Sequence, residues 1–124
     1  MKERCSMSLK TFFSKSLSTE ENSSEQNLRP HYYLNDYQTI KKRILEVAEF
    51  LKYTVISIDD NYHEIFIENR GYADVIITCV RSAASGTRVD LKVNVQAPIA
   101  LGTGEKIIKE FYKVLDPRLT RKSL

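Results

Sequence analysis

The sequence has little of what most readily points to a chemistry. Its 124 residues hold two cysteines, Cys5 and Cys79, and two histidines, His31 and His63. A disulfide would have to tie an end of the chain to an expected core strand. Two free thiols in a reducing cytosol are the simpler expectation, with Cys79 a small core residue rather than a reactive thiol. No apolar run is long enough to span a bilayer. Lys2, Glu3 and Arg4 are followed only by Leu9, Phe12 and Phe13 among polar residues, which is not the apolar region of a signal peptide. A cytoplasmic, soluble protein without a membrane partner is expected. Charge of one sign is also scarce. Nineteen Lys and Arg against sixteen Asp and Glu give a net charge of +3, and neither residues 1–30 nor the rest is strongly basic. Nucleic-acid binders carry a denser basic stripe, so no nucleic-acid partner is expected.

What remains is an ordinary globular composition on a length that suits one domain. Residues 14–29, rich in Ser, Glu and Asn, lack the apolar surface needed to offset their ordering entropy. Residues 1–30 are therefore expected to be a flexible Ser/Glu-rich tail. Residues 31–118 are expected to be the single domain, and residues 119–124 a short basic C-terminal end.

Within the domain, hydrophobic periodicity marks the elements. Asp36 suits a helix N-cap. Tyr37, Ile40, Ile44, Val47, Ala48 and Leu51 follow at helical spacing, which predicts an amphipathic helix over residues 36–52. Strands are expected at 54–59, 63–69, 72–81 and 87–96, separated by the turns Asp59-Asp60-Asn61 and Asn69-Arg70-Gly71 and by the loop from Ser82 to Gly86. The last strand alternates strictly, with Val89, Leu91, Val93 and Val95 on one face and Arg88, Asp90, Lys92 and Asn94 on the other. Ile107, Ile108, Phe111, Val114 and Leu115 predict a second helix over residues 104–115, stopped by Asp116-Pro117. The order α-β-β-β-β-α with short connections predicts an α+β fold. Its expected form is a four-stranded antiparallel meander with two helices on one face, in two layers, the other face partly open.

Some of these residues also resemble a bacterial family, domain-of-unknown-function family 1499. The likeness rests on the step Arg29-Pro30-His31-Tyr32-Tyr33, the Val-rich strand at Tyr53 to Ile56, and the strand at Asp74 to Ile77 that leads to Gly86-Thr87-Arg88-Val89-Asp90. It also includes the Leu-Gly-x-Gly step at Leu101 to Gly104 and the helix after it. The resemblance covers about residues 17–115. It implies the fold and no activity.

Candidate sites are few. Thr103, Gly104 and Lys106 stand at a helix start, where backbone amides, the helix dipole and a lysine could hold an anion. The spacing fails the phosphate-loop pattern, and a flexible turn with Thr103 as N-cap accounts for the same residues. Asp59, Asp60, His63 and Glu64 crowd one hairpin, yet no calcium-loop spacing is present and the aspartates suit a tight turn. Neither histidine has a nucleophile beside it in sequence. Arg88, Lys92 and Asn94 line the wet face of the last strand; a solvated face or a partner face fits them, and the missing aromatics argue against RNA.

The expectation is thus a small cytoplasmic domain without metal, nucleotide or other cofactor and without enzymatic activity. It would bind an unidentified protein partner or form a homodimer. The alternative is a small-ligand or anion-binding domain, or a minor enzyme, with its site near the turn from Gly102 to Lys106.

Overall fold

The computed structural model describes residues 16–20, 28–69, 73–82, 86–95 and 102–121. In chain order the elements are β1 (Ser16–Ser18), β2 (His31–Tyr33), α1 (Tyr37–Phe50), β3 (Thr54–Asp59), β4 (Glu64–Asn69), β5 (Ala73–Ser82), β6 (Gly86–Val95) and α2 (Thr103–Leu115), followed by a 3-10 turn at Asp116–Arg118. The fold is α+β, with one antiparallel sheet and two α-helices among the described residues.

Among the described residues the sheet has six strands rather than four. β3 to β6 form the expected antiparallel succession. The two additional strands both pair with β6, Ser16–Ser18 opposite Lys92 to Asn94 and His31–Tyr33 opposite Thr87 to Val89. So the part of the expected tail that is described lies in the fold. Thr19 donates its backbone N–H to Leu91 O at 2.9 Å and accepts the Leu91 N–H on Oγ1 at 3.1 Å, while Leu28 is buried. A segment that owns one apolar residue in three can still join a sheet, because β6 supplies the unpaired backbone groups that it needs. The expected C-terminal end is also part of the domain up to Arg121: Leu34 N–H donates to Thr120 O, and Thr120 N–H to Asn35 Oδ1. Cys5, Phe12, Phe13 and Pro98 lie outside the described residues.

The alternating strands bury one face. Ile65 and Ile67 of β4, Val75 and Ile77 of β5, and Val89, Leu91 and Val93 of β6 are inaccessible or nearly so. They share one hydrophobic cluster with Ile40, Ile44, Val47 and Ala48 of α1 and with Ile107, Ile108, Phe111 and Leu115 of α2. Asp36 caps α1 as expected, its Oδ1 accepting Thr39 N–H at 2.9 Å. α2 departs from expectation: Gly102, at φ 70°, is its N-cap, and Thr103 is the first helical residue and caps nothing. Gly86 is required where it stands. Its φ is 83°, and a Cβ there would run into the Tyr33 carbonyl oxygen, so only glycine lets β2 close on β6.

β3 is different. Among the described residues it ends the sheet and pairs only with β4, and it is exposed along all six of its own. Its register with β4 shifts between Val55 and Ser57. Among the described residues, no helix is long and apolar enough to cross a membrane.

Candidate functional site

The residues picked out at the start of α2 do not converge on an anion. Gly104 is buried, and a Cβ there would lie in ordinary contact, 3.4 Å from Leu17 Cβ of β1. It faces the packing between α2 and β1 rather than an open anion site. Thr103 is half-buried. Lys106 instead lines an open cleft of about 880 Å³ between the end of α1 and one side of α2. Phe50, Leu51 and Val114 give the cleft apolar surface, and Lys109, Lys113 and Arg118 give it positive charge beside the carboxylates of Glu105 and Glu110. Arg118 lies over the Phe50 ring at 5.5 Å.

On β6, Arg88, Lys92 and Asn94 share the face turned away from the core, as alternation requires. Arg88 Nε is 3.0 Å from Asp90 Oδ2 on the same strand. Lys92 is exposed and stands opposite Ile76 and Ser18, while Asn94 stands opposite Asp74 and Ser16. Phe66 and Ile76, opposite each other, add half-buried apolar surface to this face.

The β3–β4 hairpin uses its acidic residues locally. Asp59 Oδ1 accepts the N–H groups of Asn61 and Tyr62 at 3.0 and 3.2 Å, which is turn chemistry. Asp60 accepts from Tyr37 Oη at 2.7 Å and Lys41 Nζ at 3.1 Å. Those two donors hold the Asp60 carboxyl below its usual range. His63 adopts φ 56° and stacks on the Tyr37 ring with 3.9 Å between centroids. Among the described residues, no group of three or more His, Cys, Asp and Glu is placed to hold a metal. Cys79 is buried, and burial pushes its thiol up to about 12, so it stays protonated near neutral pH.

The best-defined polar constellation is one that sequence reasoning missed. It joins β2 to the end of α2. Asp116 Oδ1 accepts from Tyr33 Oη at 2.6 Å and from His31 Nδ1 at 2.9 Å, and Oδ2 accepts from Arg121 Nη1 at 2.9 Å. The His31 ring lies flat on Tyr112, 3.6 Å between centroids and 6° between planes. Tyr112 Oη donates to Val89 O at 2.6 Å. Burial raises the Asp116 carboxyl, but the hydrogen bonds from His31 and Tyr33, and the charges of His31 and Arg121, outweigh it and hold it below its usual range. Burial and the bond to Asp116 push the Tyr33 hydroxyl far above its ordinary value. His31, Tyr112 and Asp116, with Lys109 and Lys113, line a pocket of about 290 Å³. A histidine oriented by an aspartate can accept or give a proton at its outer nitrogen.

In comparisons with known proteins, the chain matches no family model and no curated protein.

Proposed function

We propose that this chain is a non-catalytic, cytoplasmic self-association module, and that two copies join through β3. The observation that carries the reading is the state of that strand. An edge strand presents a row of unpaired N–H and C=O groups, and natural edges are blunted by lysine, by proline or by a bulge such as the one between Val55 and Ser57. β3 has neither of the first two, and its Val55, Ile56 and Ile58 are 38%, 50% and 41% exposed. Val55 and Ile58 stand opposite Ile67 and Ile65, which are fully buried, so they extend the core face beyond its cover. Paired antiparallel about a two-fold axis between Ile56 and Ser57, Val55 of one copy meets Ile58 of the other on that face. A second copy then supplies both the missing backbone partners and the missing apolar cover.

The register shift between Val55 and Ser57 leaves Ile56 as the extra residue of β3, and it is what puts Val55 and Ile58, three positions apart, on the same face. The two-layer arrangement, with both helices on one face, belongs to this reading. It leaves the face of Arg88, Lys92 and Asn94 open alongside the junction. Kinship with domain-of-unknown-function family 1499 is a further part of the proposal. Sedimentation velocity tests the proposal: the native chain dimerises as concentration rises, and Ile58→Lys stays monomeric with unchanged circular dichroism. A native chain that is monomeric at every concentration, or an Ile58→Lys dimer, overturns it.

A second reading, an anion- or small-ligand-binding domain near the Gly102–Lys106 turn, is favoured by the apolar, lysine-rimmed cleft that Lys106 lines.

A further inference from the structure

The pocket at His31 has a donor–acceptor pattern that selects a ligand. Asp116, as a carboxylate, can only accept hydrogen bonds. The proton of a neutral His31 therefore sits on Nδ1, 2.9 Å from Asp116 Oδ1, and leaves a bare lone pair on Nε2. The His31 backbone N–H donates to Tyr112 Oη at 3.4 Å, and Tyr112 covers one face of the ring. The ring is thus held in one orientation. Nε2 has no partner among the described residues. None of their buried side-chain polar atoms lacks one, so Nε2 is reached by solvent.

The same pocket is lined by Lys109 and Lys113. Lys109 is shared with Glu105 at 2.9 Å, while Lys113 has no ion-pair partner among the described residues. The negative end of α2 is offset where it would oppose an anion: Arg118 Nη1 donates to Val114 O at 2.9 Å, and Arg121 meets Asp116 Oδ2. A ligand here must therefore donate one hydrogen bond, to Nε2, and bring negative charge, to the lysines. The volume, about 290 Å³, lies just below the value of about 300 Å³ at which sites for drug-sized ligands begin, so it suits a smaller molecule.

We propose that this pocket binds a small anion that carries a hydroxyl group, a hydroxycarboxylate or the phosphate ester of a short polyol. The hydroxyl donates to His31 Nε2, and the oxyanion lies on Lys113 and Lys109. The site is independent of β3, so its fate and that of self-association are read separately.

The test is a titration of the full chain, followed by the ¹⁵N shifts of the His31 imidazole. L-Lactate and sn-glycerol 3-phosphate serve as probes for the two oxyanions; glycerol and sulfate are controls that lack the charge or the hydroxyl. The expected result is a saturable shift of His31 Nε2 with at least one hydroxy anion and none with either control. Which one binds tells carboxylate from phosphate. His31→Asn keeps a donor toward Asp116 but has no Nε2, and abolishes binding. Lys113→Met, at an exposed position, weakens it about tenfold, as expected for one lost charge-assisted contact. Lys42→Met, at an exposed position on α1, leaves it unchanged. No shift with either hydroxy anion, equal binding of sulfate, or undiminished binding by Lys113→Met overturns the proposal. The lysine variant decides the matter even if His31→Asn fails to fold.

Discussion

Asp116→Asn removes one charge from the point where β2 meets the end of α2, and the structure sets what that should cost. The carboxylate accepts three hydrogen bonds, from Tyr33 at 2.6 Å, His31 at 2.9 Å and Arg121 at 2.9 Å. Hydrogen bonds to a charged group contribute about 1.5–3 kcal/mol each in mutational series. The Arg121 side chain is 42% exposed, so its bond counts for only about 0–1 kcal/mol. Asparagine keeps one oxygen for Tyr33 and His31 but turns an amide toward the guanidinium. A net loss of about 1.5–3 kcal/mol follows. Asp116→Ala should lose about 1–3 kcal/mol more, because it leaves the hydroxyl of the fully buried Tyr33 without a partner. The assay is urea unfolding at several pH values.

The pH dependence separates charge from shape. The folded-state carboxyl titrates below its ordinary value of 3.8, so the folded state prefers the ionised form. Its contribution is fully present above the unfolded value and is lost as pH falls through that value to the lower folded one. The gap between the native chain and Asp116→Asn should therefore be constant near neutrality and close as pH drops below about 4. An asparagine variant as stable as the native chain at pH 7 would refute the reasoning. A gap that persists undiminished into acid would show that packing, not charge, is at stake.

Gly86→Ala should cost about 1–3 kcal/mol from backbone strain alone, and more as Tyr33 is forced off β6; thermal unfolding within about 0.5 kcal/mol of the native chain would contradict the geometry. A chain starting at Leu28 loses β1 and should melt at a lower temperature, with faster hydrogen exchange at Leu91, whose N–H now reaches Thr19; unchanged melting and exchange would show β1 to be dispensable.

Hydrophobic spacing made β4, β5, β6 and both helices legible, because each carries enough apolar residues to establish a period. β1 and β2 are three residues long and hold no period at all. They are strands because β6 offers an edge, which is a tertiary fact. The apolar content of β3 suggested a strand and was right, but nothing local says that it ends the sheet. The same Val and Ile residues would be buried in a central position. Ser/Glu-rich composition over residues 14–29 pointed to a tail. It said nothing about Leu17 and Leu28, single apolar residues that find places against an existing core.

The polar constellation was hidden for a stronger reason. His31 and Asp116 lie 85 positions apart, and Asp116-Pro117 was fully accounted for as a helix stop. What brings them together is Val89. His31 stands opposite it in the β2–β6 register, and its carbonyl takes the Tyr112 hydroxyl, which sets the Tyr112 ring against the imidazole. A slip of one residue in that register would turn His31 and Tyr33 to the open face and bring Tyr32 beneath α2. The site therefore depends on the pairing of a three-residue strand. Gly86 holds that pairing from one end, and Asp116, through its bonds to both His31 and Tyr33, holds it across the layer.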